Sequence, residues 1–284
     1  DQPQLLQYLA LLKCPRFGFV AFRRLMQLLP RPLDFFTLPQ SEWSHYGLSQ
    51  EQIDFLSRPD WDYVYRLADW MQRTDVTLIP FGSELYPDLL ACSVRPPIAL
   101  FAKGQLSLLN EVQIAFVGSR NPSHYGKQVT QQLIEQLAGN GVTITSGLAV
   151  GIDGTAHRAA LDNGCPTIAV LGSGFQHIYP KRHLGLAAQI EQQGLLLSEF
   201  LPDVPPIQHN FPRRNRLIAA MSMGVVVVEA DLRSGALITA KDAAHFGKDV
   251  FAVPGPVVSA QSRGCHMLLK QGAVLVEQGE DILL

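Results

Sequence analysis

Ile114-Ala115-Phe116-Val117-Gly118-Ser119-Arg120 decides the fold class. Buried parallel strands read as continuous apolar runs rather than as alternation. A glycine directly after such a run lets the backbone turn sharply and come close to a ligand. The same pattern recurs three times along the chain. Val142-Thr143-Ile144-Thr145 runs into Ser146-Gly147-Leu148-Ala149-Val150-Gly151-Ile152-Asp153. Thr167-Ile168-Ala169-Val170-Leu171 runs into Gly172-Ser173-Gly174, and Val225-Val226-Val227-Val228 into Glu229-Ala230 and then Ser234-Gly235-Ala236. Loops of this kind line the carboxyl edge of one sheet, where open α/β folds bind ligands. The expected site is a long groove for something phosphorylated.

Outward from that stretch, strands and helices alternate. The apolar runs predict strands at 113–117, 142–145, 166–171, 195–198, 224–229, 249–253 and 273–276. Helices fit between them at 124–139, 153–163, 182–193, 213–222, 235–246 and 264–271. Such alternation predicts right-handed crossovers and a parallel sheet covered on both faces. Upstream, 76–79 and 98–101 are further strand candidates, punctuated by Pro80, Pro87, Pro96 and Pro97. Residues 1–72 differ: Leu5, Leu6, Leu9, Leu12 and then Phe19, Phe22, Leu25, Met26 have helical spacing. Pro15 and Gly18 separate the two segments, and Ser49 with Gln52 reads as a capping box before Ile53, Phe55 and Leu56. The expectation is a small helical domain over 1–72 and a Rossmann-like α/β domain over 73–284.

Composition narrows the function. The 47% hydrophobic content suits a full core, and a formal charge of −2 argues against wholesale coating of nucleic acid. A local basic groove stays open, because steering depends on how charge is distributed. Cys14, Cys92, Cys165 and Cys265 form no C-x-x-C pair, so no structural metal is expected and a reducing cytosol fits. No apolar stretch approaches membrane-spanning length. The sequence opens on Asp1 rather than methionine and reads as a trimmed chain that continues past Leu284.

Several motifs carry chemistry. Gly118-Ser119-Arg120 is either a phosphate clamp, with a backbone nest, a hydroxyl and a guanidinium, or a plain βα turn with a surface arginine. The loop from Ser146 and Gly147 to Asp153 reads as a phosphate seat, or else Asp153 is an N-cap with His157 as its partner one turn on. An aspartate and a histidine without a third ligand are weak evidence for metal. His209-Asn210-Phe211-Pro212-Arg213-Arg214-Asn215-Arg216 is the densest basic segment. Positive charge at a helix start opposes the macrodipole, so the segment reads as arranged for an anion. An aromatic beside arginines supplies a base-stacking platform. Lys181 and Arg182 add two cations after Tyr179-Pro180, and Ser234-Gly235 opens a helix whose free N–H groups suit another phosphate. The G-x-G-x-x-G, G-x-x-x-x-G-K-[ST] and G-x-S-x-G patterns are absent.

Together these motifs resemble the DNA-processing protein A family, also called DprA or Smf, over roughly residues 75–280. Besides the loops above, the matching pieces are His157-Arg158-Ala159-Ala160-Leu161, Ser234 to Ala240, Asp249-Val250-Phe251-Ala252-Val253-Pro254-Gly255 and Arg263-Gly264-Cys265. The resemblance implies a cytoplasmic protein without a cofactor, and not an enzyme. It implies a chain that binds single-stranded DNA, protects incoming strands in natural transformation and helps load RecA recombinase. It also implies an extended Rossmann-like core and an N-terminal domain likened to a sterile alpha motif. The C-terminal winged helix of many members is absent from this chain. Pro15-Arg16-Phe17-Gly18 departs from a glycine-x-glycine hairpin. Arg120 and Lys181 match family positions that contact DNA. The expected contacts are then Gly118, Ser119, Arg120, Ser146, Gly147, Asp153, Lys181, Phe211, Arg213, Asn215, Arg216, Ser234 and Gly235. A homodimer is expected near His266, Leu269 and Leu275, because the helix over 264–271 is apolar on many sides and an end strand leaves an open edge.

Two other functions compete. Related Rossmann proteins hydrolyse nucleoside monophosphates, using a glutamate after a glycine-rich helix start. Here that helix carries alanine where the acid is expected, and Glu229 reads more simply as a residue that buries its stem. A nucleotide-sensing module needs one phosphate loop, whereas this chain offers at least four phosphate-friendly segments.

Overall fold

The computed structural model describes residues 2–283. Four helices come first: α1 (Gln2–Lys13), α2 (Phe19–Leu28), α3 (Gln50–Ser57) and α4 (Trp61–Thr74). Ser49 and Gln52 form the expected capping box of α3, and Asp60 accepts the Tyr63 N–H at 2.9 Å to start α4. Then come β1 (Thr77–Pro80), the short α5 (Asp88–Ala91), β2 (Ala99–Gly104) and β3 (Gln113–Gly118). From there α6 (His124–Leu137), β4 (Thr143–Ser146), α7 (Ile152–Asp162), β5 (Thr167–Val170), α8 (Leu184–Gln193) and β6 (Leu195–Ser198) alternate. The chain continues through α9 (Asn210–Met221), β7 (Gly224–Val228), α10 (Ala236–His245), β8 (Asp249–Ala252), α11 (Arg263–Lys270) and β9 (Val274–Leu275).

The strand order is β1-β2-β6-β5-β4-β3-β7-β8-β9. The block from β6 to β9 is parallel, as the alternation predicts, whereas β1 and β2 join antiparallel at one end. From β3 the chain winds outward through β4, β5 and β6. It then returns to lay β7 against the other side of β3. That reversal is a topological switch point, where a crevice opens at the carboxyl ends of β3 and β7.

Side chains of β3 alternate between two cores. Ile114 and Phe116 pack with α6 and α7, while Ala115 and Val117 pack with α9 and α10. The N-terminal helices join a third cluster, in which Leu9, Val64, Leu67 and Met71 pack with Phe101, Ala169 and Leu171 of the sheet layer. Pro80 lies on the free edge strand, where it lacks the donor that a further strand would need.

Two elements differ from expectation in ways that matter. The helix expected from 213 begins at Asn210, so Phe211 and Pro212 lie in its first turn, where a missing N–H costs nothing. The last strand shrinks from 273–276 to Val274–Leu275, although Val276 N–H still reaches the Ala252 carbonyl at 3.1 Å.

Candidate nucleic-acid interface

Three loops meet above the switch point. Gly118 ends β3 in contact with β7, and a Cβ there would collide with the Val228 carbonyl and Ile152. Gly151 has φ +87°, which an L side chain rarely adopts, and a Cβ there would strike the Ser119 backbone. The Ile152 N–H donates to the Ser119 carbonyl at 3.0 Å, so the loops after β3 and β4 are joined directly.

Helix α9 presents one face to these loops. Phe211, Arg214, Asn215 and Ile218 recur at helical spacing and line the crevice together with Val117–Asn121, Ala149 and Asp153. Arg214 is 4% exposed; its Nη1 donates to the Val170 carbonyl at 2.5 Å and to the Gly147 carbonyl, and its Nε to Asn215 Oδ1 at 3.0 Å. Burial draws its pKa down to about 10, with Asp153 opposing and Arg120 adding to the fall. It stays fully charged at neutral pH.

The Phe211 ring lies half-buried against Gly172, where a Cβ would collide with it. Its centroid is 5.8 Å from that of Tyr179, and the guanidiniums of Arg120 and Arg214 stand 5.9 and 5.8 Å from it. This aromatic–cation wall separates two cavities. One, of about 520 Å³, extends over Gly118, Ser119 and Arg120 to Arg233, Ser234 and Gly235 at the start of α10. The other, of about 300 Å³, extends over Gly147 to Tyr179, Lys181 and Arg182. Arg120, Ala149, Phe211 and Arg214 face both.

Three expected contacts lie away from the crevice, and a fourth, Asp153, lines it with its carboxylate turned to the loop backbone. Ser146 is fully buried and donates to the Phe116 carbonyl at 2.6 Å, so it ties β4 to β3 and presents nothing to a ligand. Asp153 is not the cap of α7, which starts one residue earlier; its carboxylate accepts the Gly147 N–H at 3.0 Å and lies near the Ala149 N–H at 3.4 Å. Burial pushes its pKa up from the ordinary carboxylate range, opposed by Arg214 and those N–H groups. Arg213 and Arg216 turn away from the crevice toward Glu199, at 3.4 and 2.5 Å, and Arg213 also stacks on Phe200. They differ from Arg214 only in helix phase.

Sequence reasoning passed over Arg214 in favour of its two neighbours. The usable signal was its place on the Phe211–Ile218 face of one helix. Arg233, Asn121 and Gln261 also line the larger cavity without having been singled out, and Arg182, the second cation after Pro180, lines the smaller.

Other candidates resolve as follows. His157 pairs with Thr167, Nδ1 to Oγ1 at 2.7 Å, rather than with Asp153. Its pKa falls to about 3 through burial, helped by His183, Arg214 and Arg158. The Glu229 carboxylate lines neither cavity and instead accepts hydrogen bonds from Ser123 N, at 2.8 Å, and Ser123 Oγ. Leu275 is 46% exposed on the end strand, Leu269 is half-buried against the core, and His266 Nε2 sits 3.0 Å from the Gly255 carbonyl. Among the described residues, no group of three or more acidic, histidine or cysteine side chains could hold a metal ion, and no helix is long and apolar enough to cross a membrane.

Known proteins are similar to this chain in sequence and fold. Residues 77–284 match the family model described as DNA recombination-mediator protein A. The chain is 53% identical over 239 residues to protein Smf of Escherichia coli, covering 84% of this chain and 64% of that protein's length. It is 44% identical over 208 residues to the DNA processing protein DprA of Bacillus subtilis, covering 73% of this chain and 70% of that one. The crystal structure of DNA processing protein A from Streptococcus pneumoniae superposes with a TM-score of 0.87 at 34% identity, covering 98% of this chain and 96% of that one. A structure of the Helicobacter pylori protein, studied for its single-stranded DNA binding mode, superposes with a TM-score of 0.66 at 32% identity, covering 73% and 94%. With its motifs in register across the switch point and a family match over most of its length, the chain belongs to the DNA recombination-mediator protein A family.

Proposed function

We propose that this chain binds single-stranded DNA across the two cavities and acts in DNA processing during natural transformation. The observation that carries this reading is the wall of Phe211 between Arg120 and Arg214, with a cavity on either side. Guanidiniums neutralise successive phosphates, and an exposed ring face stacks on any base, so binding of this kind tolerates sequence and demands unpaired bases. The Helicobacter pylori relative's single-stranded DNA binding supports it. Gly118, Ser119, Arg120, Gly147, Lys181, Phe211, Asn215, Ser234 and Gly235 are the proposed contacts, joined by Arg214 and Arg233.

The wider role follows from the family. We assign to this chain protection of incoming strands, delivery of RecA recombinase, a cytoplasmic site of action and no enzymatic step of its own. The occupied Glu229 carboxylate speaks against the glycosidic hydrolase reading, since a general acid or nucleophile must reach its substrate. The helical 1–72 segment serves as an accessory domain to the 73–284 core. The exposed Val274 and Leu275 on a two-residue end strand fit a two-fold interface with a second copy, near His266 and Leu269.

The test is a titration of labelled oligothymidylate, with thymidine monophosphate and a duplex of equal length as competitors. The polymer should bind at least a hundredfold tighter than the mononucleotide, and the duplex should compete poorly. Equal affinity for polymer and mononucleotide would leave a nucleotide sensor instead.

A further inference from the structure

Glu229 is the residue after β7, and its conformation is costly. Its φ is +53°, in the left-handed region, and it is 7% exposed with a carboxylate buried beneath the loop after β3. Left-handed backbone at a non-glycine residue costs on the order of 1–3 kcal/mol and persists where surrounding contacts over-determine it. Those contacts are specific. The Glu229 carbonyl accepts the Ser119 N–H at 2.7 Å. Its carboxylate accepts the Ser123 N–H at 2.8 Å and the Ser123 hydroxyl. One residue therefore holds both ends of the segment 119–123, which carries Arg120. Ser123 in turn caps α6 by accepting the Gly126 N–H at 3.1 Å, and a Cβ on Gly126 would strike the Glu229 carboxylate. The first turn of α6 thus closes over the staple, while Glu229 itself touches neither cavity.

We propose that Glu229 is a positioning residue: it fixes the 119–123 loop so that the Arg120 guanidinium stands ready beside Phe211 before any strand arrives. The proposal rests on the single-strand-binding reading above. A loop ordered in advance spares the ligand the cost of ordering it, and that saving appears as affinity. The sign of the effect distinguishes this role from plain electrostatics. Removing a carboxylate near a polyanion's groove strengthens binding, whereas removing a positioning contact weakens it.

The experiment titrates oligothymidylate against the whole chain at several salt concentrations. The variants are Arg120→Ala, Glu229→Ala, Glu229→Gln and the double variant Arg120→Ala/Glu229→Ala. Glu229→Ala should weaken binding by about tenfold and lower the salt slope by about 0.7, the loss of one single-strand phosphate contact. The double variant should bind no more weakly than Arg120→Ala alone, since both changes remove one contact. Glu229→Gln keeps an acceptor for Ser123 and should bind within about threefold of the parent chain. If Glu229→Ala does not fold, Glu229→Asp carries the test. Aspartate tolerates the left-handed backbone and keeps the charge but falls one methylene short of Ser123, so the same loss is expected. Unchanged or tighter binding in a folded Glu229→Ala or Glu229→Asp chain overturns the proposal, as does a loss that adds to that of Arg120→Ala. If Arg120→Ala alone leaves binding unchanged, the groove reading fails first and the proposal with it.

Discussion

Asp153 and Arg214 hold Gly147 from its two sides: the Asp153 carboxylate accepts its N–H at 3.0 Å and the Arg214 guanidinium donates to its carbonyl. They form no direct ion pair, yet each moderates the burial cost of the other. A Cβ on Gly147 would collide with the guanidinium, so this approach depends on glycine. Arg214→Ala should destabilise the chain by about 3 kcal/mol, because it strips the buried Gly147 and Val170 carbonyls of their charged donor and removes the cation that offsets the burial of Asp153. Urea unfolding at neutral pH measures it, and a change within experimental error would show that the pair is not structural.

The buried His157 ties stability to pH. Its folded pKa, about 3, lies below the ordinary 6.5, so the folded state stays neutral where the unfolded chain takes up a proton. Its contribution is complete above pH 6.5 and is lost as pH falls through that value toward 3. The linkage is about 1.4 kcal/mol per unit of pH across that window. His157→Gln should therefore lose less stability than the parent chain between pH 6.5 and 4. Equal slopes in paired urea titrations would contradict a neutral buried imidazole.

Stacking and charge should separate in salt. Phe211→Ala should cost about 1–3 kcal/mol of single-strand affinity with the salt slope unchanged, because stacking releases no counterions. Arg120→Ala and Lys181→Ala should each lower the slope by about 0.7. A slope change for Phe211→Ala as large as theirs would mean that its loss displaces the flanking guanidiniums.

Arg216 should matter to the fold rather than to the ligand. Its partner Glu199 has a side chain only 5% exposed, and Arg216 also donates to the Arg95 carbonyl at 2.7 Å. Arg216→Ala should lower stability by about 2–3 kcal/mol and leave the salt slope of DNA binding unchanged. A lost phosphate contact with full stability would reverse this assignment.

The end strand should govern assembly. Leu275→Arg changes an exposed side chain and should give a folded monomer, whereas the parent chain should run as a dimer in light scattering at tens of micromolar. A parent chain that is monomeric at that concentration would rule the interface out. The monomer's DNA affinity should fall, since two linked grooves bind one strand with greater avidity.

Much of the architecture was legible in the sequence because it rests on local physics. Apolar runs of strand length at 114–117, 167–171 and 225–228, the first two ending in glycine and the third in Glu229-Ala230, fit burial in a parallel sheet whose loops gather at one edge. Tertiary structure alone decided that β7 returns beside β3 rather than continuing past β6, and so which loops form the crevice. It also sorted three consecutive-looking arginines: Arg214 points inward under Phe211, while Arg213 and Arg216 face Glu199. Composition is the same for all three. Their fates differ because helix phase turns each toward a different neighbour, and those neighbours come from strands far away in the chain.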